Sequence, residues 1–111
     1  EMVIPVYFTV DVESGETERT LDDNFSNYPN PFTTSTTFEF TSDHDIPVLL
    51  VIYNTSGKMV RTIRTKSRAG LKTQITWDGT NRSGHALNRG IYFYQFKAGD
   101  LEKTGKVEIA E

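Results

Sequence analysis

The 111-residue sequence contains no cysteine. That excludes disulfides and thiolate metal sites, and it leaves the redox compartment open, because secreted and periplasmic domains also do without them. Sustained helical periodicity is absent too: no window keeps apolar residues at i, i+3, i+4 and i+7. Long hydrophobic runs are missing. The longest, Val48 to Tyr53, falls far short of the roughly 18 apolar residues of a membrane-spanning helix, and no signal-peptide pattern opens the chain. The machinery of nucleophilic catalysis is lacking as well, with no Gly-x-Ser-x-Gly elbow and no serine beside a plausible base. Paired carboxylates for glycoside hydrolysis would need a cleft that a short domain without long loops does not build. The reading is a single non-enzymatic domain with no cofactor.

What is present is period-two alternation. Ile4, Val6, Phe8, Val10 and Val12 share one face of a first strand, Met2–Val12, with Pro5 marking an edge. An acidic, polar stretch, Glu13 to Asn24, reads as a linker. The segment Tyr28-Pro29-Asn30-Pro31-Phe32 follows, its prolines holding Tyr28 and Asn30 extended, with the rings of Tyr28 and Phe32 expected to plug one end of the core. Thr36, Phe38 and Phe40 alternate with Thr37, Glu39 and Thr41, and Ser42-Asp43-His44-Asp45 makes a turn. Val48–Tyr53 suits a central strand buried on much of both faces. Asn54-Thr55-Ser56-Gly57 is a hairpin turn with Gly57 at positive φ, and Met59–Thr65 pairs back. Leu71, Thr73, Ile75 and Trp77 are expected on one face of the next strand. Gly90–Lys97 and Leu101–Ile109 form a last hairpin around Ala98-Gly99-Asp100. Seven to eight short antiparallel strands at this spacing, with no significant helix, predict an all-β, immunoglobulin-like β-sandwich.

Charge is unevenly spread. Residues 1–45 hold ten acids and one base, a balance of −9, whereas residues 46–111 hold eleven bases and five acids, a balance of +6. Complementarity within the chain is one reading, and a face for an anionic partner is the other. The basic run Lys58, Arg61, Arg64, Lys66, Arg68 and Lys72 reads as a solvated hairpin that discourages edge aggregation, or as a docking surface for a translocon or an anionic glycolipid. A net charge of −3 argues against nucleic-acid binding. His44, between Asp43 and Asp45, lacks the converging ligands a catalytic zinc needs. Asp22, Asp23 and Asn24 lack calcium-loop spacing and read as linker, so no metal site is expected. Trp77, Tyr92, Phe93 and Tyr94 are a core cluster in one reading and a sugar-stacking platform in another.

Four segments between Asn27 and Ile109 carry a resemblance: Asn27-Tyr28-Pro29-Asn30-Pro31-Phe32 with its Thr-rich continuation; Val51-Ile52-Tyr53-Asn54-Thr55-Ser56-Gly57-Lys58-Met59-Val60; Trp77-Asp78-Gly79 through Gly90-Ile91-Tyr92-Phe93-Tyr94; and Lys106-Val107-Glu108-Ile109. In this order they resemble the C-terminal sorting domains of the type IX secretion system of Bacteroidetes, relatives of the immunoglobulin-like domain of flagellar hook-capping proteins. One departure is Glu111, which stands where family members often end in a basic residue.

The resemblance implies a C-terminal targeting module, residues 25–111, behind the linker 13–24 and a strand 1–12 that closes a preceding domain or adds an edge. It implies passage through the periplasm to the cell surface, with the outer-membrane translocon, the sortase and the parent chain's upstream domain as partners. It assigns signal recognition to Gly90, Tyr92 and Lys106. Sortase cleavage would fall between Glu13 and Asn27, where an extended backbone is available. The alternatives are a structural immunoglobulin-like spacer, including a retained domain of the sortase itself, and a carbohydrate-binding accessory module.

Overall fold

The computed structural model of the chain describes residues 25–110. The strand expected at Met2–Val12, the linker Glu13–Asn24 with Asp22, Asp23 and Asn24, and Glu111 lie outside the described residues. Seven strands run in chain order: β1 (Phe25–Tyr28), β2 (Thr36–Thr41), β3 (Ile46–Tyr53), β4 (Met59–Ser67), β5 (Lys72–Trp77), β6 (Gly90–Ala98) and β7 (Leu101–Ile109). They form two sheets, ordered β1-β2-β5 and β4-β3-β6-β7. Every pairing is antiparallel, and the described residues contain no helix. The fold is an immunoglobulin-like sandwich.

The alternation becomes the core. Thr36, Phe38 and Phe40 of β2 are buried while Thr37, Glu39 and Thr41 are less so. β3 presents Val48, Leu50 and Ile52 to the opposing sheet, and Val51 and Tyr53, on its other face, are buried as well. Aromatic rings tie the layers together. Phe25 lies 4.7 Å from Phe96, Phe38 meets Tyr94 edge-on at 5.0 Å, and Trp77 meets Phe32 at 5.6 Å and Tyr92 at 5.9 Å. Each such pair adds about 0.5–1.5 kcal/mol beyond the area it buries.

Two sequence expectations are corrected. Leu71 does not share the inward face of Ile75 and Trp77: it is 60% exposed. Its amide closes a turn onto the Arg68 carbonyl before β5 begins, so strand alternation does not reach it. Tyr28 does not plug the core, whereas Phe32 does, at 2% exposed. The β1–β2 register sets Phe25 against Phe40 and Tyr28 against Thr37, which turns Phe25 inward and Tyr28 outward. There its hydroxyl donates to Glu39 on the outer face.

The proline-rich segment closes one side of the sandwich. The Asn30 side chain imitates a strand residue: Nδ2 donates to the Lys106 carbonyl at 2.7 Å and Oδ1 accepts from the Glu108 amide at 3.0 Å. Phe32 continues with its amide on the Glu108 carbonyl at 3.0 Å and its carbonyl accepting from Ala110 at 2.6 Å. The outer edge of β7 is thereby satisfied from Lys106 to Ala110. Pro29 and Pro31, which have no N–H to offer, flank the one side chain that supplies both a donor and an acceptor.

Gly105, opposite Tyr94 on β7, leaves room for that ring to lie across the strand. A Cβ built there would sit 2.5 Å from the Tyr94 hydroxyl oxygen and 2.6 Å from Cζ. Gly105→Ala is therefore expected to displace Tyr94 from Phe25 and Phe38 and cost about 1–3 kcal/mol, read by urea denaturation. Asn30→Asp keeps the acceptor for Glu108 and removes the donor to Lys106. It should cost about 1–3 kcal/mol and speed hydrogen exchange at Glu108 and Ala110, and unchanged exchange at both would show that the strap does not hold β7.

Candidate functional site

Gly90, Tyr92 and Lys106 all fall on the β6–β7 hairpin, but they do not converge. Gly90 opens β6 opposite Ile109 with φ 138° and open space where a Cβ would be. Tyr92 is inward, 7% exposed, and its hydroxyl donates to the Asn88 carbonyl at 2.6 Å. Burial raises its pKa. Lys106 pairs across the strands with Phe93, on the opposite face from Tyr92, and is exposed. Of the three, only Lys106 offers a charged side chain to a partner. Its backbone carbonyl is the one that Asn30 holds.

The Trp77–Tyr94 segment builds a junction between the sheets. Trp77 is wholly buried, so its indole N–H must find an acceptor, and it donates to the Thr80 carbonyl at 2.9 Å. Arg61 of β4 reaches the same residue, 2.7 Å to Thr80 Oγ1 and 3.3 Å to its carbonyl, with Asp78 Oδ1 at 3.9 Å. The Thr80 hydroxyl donates in turn to Asp78 at 2.6 Å, and that bond is the chief cause of the lowered Asp78 pKa. With Trp77 enclosed and Tyr92 packed on it, the sugar-stacking platform does not form.

Beyond this junction lies a turn used twice. In Asn54-Thr55-Ser56-Gly57-Lys58 the Asn Oδ1 accepts from the amides of Ser56 at 2.9 Å and Lys58 at 3.0 Å. In Asn81-Arg82-Ser83-Gly84-His85 it accepts from Ser83 at 2.9 Å and His85 at 3.0 Å. Both turns close with a 2.9 Å bond that the Asn amide donates to the carbonyl of the fifth residue. Their glycines take φ 86° and 87°, values that L side chains rarely adopt. The second turn rests beside the first, Arg82 donating its amide to the Val60 carbonyl at 3.1 Å. The recurring Asn-x-Ser-Gly was visible in the sequence and is the signal that would have matched the two.

The outer face of the smaller sheet carries a second polar cluster. Glu39 accepts from Tyr28 and, at 2.6 Å, from Gln74, with Lys72 Nζ at 3.7 Å. The Tyr28 and Gln74 bonds lower its pKa. His44 and His85 both lie in turns and are exposed. Among the described residues no three His, Cys, Asp or Glu side chains are grouped to hold a metal ion. What the surface offers is charge, hydrogen bonds and strand edges.

The sequence matches the FlgD Ig-like domain over residues 30–102. No curated protein matches it in sequence. Among solved structures it is similar to dimeric latent PorU from Porphyromonas gingivalis, with TM-score 0.66, 24% identity and 78% of the chain covered. It is also similar to PorZ of the same bacterium, an essential surface component of the type IX secretion system, with TM-score 0.57, 18% identity and 88% covered. The chain spans 9% of the PorU chain and 13% of the PorZ chain. FlgD from Xanthomonas campestris, which functions in hook capping, aligns with TM-score 0.55 and 18% identity over 86% of this chain and 73% of its own. At these identities the structural likenesses show a shared fold, and the sequence match, which takes in well over half of the residues, shows more. The chain belongs to the FlgD Ig-like domain family.

Proposed function

We propose that this chain is a non-catalytic targeting module that directs a parent protein through the type IX secretion system, across the periplasm to the cell surface. The observation that carries the reading is the closing hairpin. β6 is paired with β3 and β7 is held on its outer edge by Asn30 and Phe32, so a translocon would meet a folded surface with Lys106 displayed on it. The fold shared with PorZ, a surface component of that system, supports the same reading, as do the four sequence segments. Tyr92 and Gly90 serve recognition indirectly, by shaping the hairpin that carries Lys106. Phe25–Asn27 are paired with β2, so sortase cleavage belongs upstream of them, between Glu13 and Asn24.

A second reading rests on the family match itself: an immunoglobulin-like spacer or interaction domain of a larger bacterial protein, a retained domain of the sortase included. The two separate in one experiment. The 111-residue chain is fused behind a periplasmic reporter in a host with a working type IX system. A sorting module delivers the reporter to the cell surface, cut ahead of Phe25, whereas a folded reporter left uncut in the periplasm overturns sorting and favours the spacer. Lys106→Ala, an exposed change that spares the core, is expected to lower surface display several-fold while leaving the denaturation midpoint unmoved. Undiminished display would remove Lys106 from recognition.

A further inference from the structure

The two sides of the sandwich are finished differently. On one, the Asn30 strap covers the end of β7. On the other, β4 is the edge of the four-stranded sheet, nine residues long, with no proline and no covering segment among the described residues. The hairpin bond from the Asn54 amide to the Lys58 carbonyl sets the phase of this edge. It points the backbone groups of Ile52, Leu50 and Val48 toward β4, where Ile63 and Thr65 stand opposite Leu50 and Val48. By alternation the N–H and C=O groups of Thr62, Arg64 and Lys66 point away from the sheet. The carbonyl of Val60, before them, is taken by Arg82, and the three that follow have no backbone partner among the described residues.

Their side chains are on the sheet's outer face, opposite Val51, Leu49 and Pro47. Arg64 and Lys66 are exposed, and neither has an ion pair among the described residues, where the two bridges are Arg61–Asp78 and Lys72–Glu39. Three of the domain's carboxylates are engaged elsewhere: Asp45 accepts the Ala69 amide at 2.7 Å, Asp78 serves Thr80, and Glu39, on the outer face of the other sheet, serves Tyr28 and Gln74. Residues 25–110 carry eleven Lys and Arg against seven Asp and Glu, which adds to the positive field along this edge.

A free edge invites a strand, and its charges select which one. A second copy of β4 laid antiparallel would bring Arg64 and Lys66 against their own counterparts, and like charges opposite each other destabilise a pair. An extended segment with carboxylates at alternate positions places all of them on the outer face, opposite Arg64 and Lys66, while its backbone takes up the groups of Thr62, Arg64 and Lys66. We propose that the outer edge of β4, from Thr62 to Lys66, docks an extended acidic segment of a partner protein, which joins the four-stranded sheet as a fifth strand. This edge lies at the opposite end of the sheet from Lys106, so the site stands whether or not the domain sorts.

The test uses the full chain and the capped peptide Thr-Glu-Val-Glu-Thr-Glu-Val. Binding is followed by NMR, with hydrogen exchange read at the amides of Thr62, Arg64 and Lys66. The peptide is expected to slow exchange at those three amides and to bind several-fold more weakly as salt rises from about 0.05 M to about 0.5 M. The double variant Arg64→Glu/Lys66→Glu, which changes only exposed side chains, should weaken binding about tenfold or more with the fold intact. Two controls decide the mode. A peptide with alternate amides N-methylated keeps the charge and cannot pair, so equal binding by it would reduce the site to a general anion surface and overturn the proposal. Slow exchange at the three amides before any peptide is added would mean that the chain's own acidic N-terminal residues fill the edge, and that too would overturn a partner strand.

Discussion

The hydrogen bond from the Trp77 indole to the Thr80 carbonyl organises more of this domain than any other single contact. Trp77 is the largest side chain at the centre of the core, and enclosing it is worth several kcal/mol only if its N–H is not stranded. The acceptor comes from three residues further along, which forces the chain to curl back as soon as β5 ends. That curl aims the Thr80 carbonyl and hydroxyl at Arg61, so a strand of one sheet is tied to the loop leaving the other. It also sets Asn81–His85 beside the start of β4, where Arg82 can reach Val60. The loop between Trp77 and Gly90 is thus held by the need to satisfy one buried donor, and β6 begins where it does because of that loop.

The same accounting of backbone groups explains the edges. A sandwich has four edge strands, and each leaves a row of donors and acceptors to be managed. β1 is only four residues long and β5 six, so both expose little. β7 is long, and at its C-terminal end its outward groups are met by Asn30 and Phe32, from more than seventy residues earlier in the chain. β4 is as long as β7 and has no such cover beyond Val60 among the described residues. It has Arg64 and Lys66 instead, which repel a like strand without satisfying the backbone.

How much of this could be read from the residues follows from the range of the interactions. Alternation in Thr36–Thr41, the apolar run Val48–Tyr53, the Gly57 turn and the Gly90–Ile109 hairpin are local signals, and the strands fall where those signals put them. Leu71 departs from the alternation because a turn closing on Arg68 stops the strand one residue short of it. The outward direction of Tyr28 depends on its register with Thr37, which sequence alone does not supply. The role of Asn30 was invisible for a stronger reason: an asparagine between two prolines looks like a turn residue until Lys106 and Glu108 are known to lie beside it. The grouping of Gly90, Tyr92 and Lys106 came from family resemblance, and strand geometry splits it, since Tyr92 and Lys106 occupy opposite faces of one hairpin.

That split changes what recognition by such a domain can mean. A motif read along the sequence suggests a linear signal, but Tyr92 is spent on packing against Trp77, and the backbone around Lys106 is already paired on both sides, to β6 and to Asn30. A partner that sought to add a strand at Lys106 would first have to expel the strap, losing the bonds of Asn30 and Phe32 and uncovering Trp77, on which the Phe32 ring lies. Reading the outer face costs nothing of that kind, since Lys106 is exposed there with its fold already formed. Under the sorting role proposed above, recognition at the β6–β7 hairpin would rest on surface charge and shape, and the strand addition proposed at β4 would use the other edge of the same sheet.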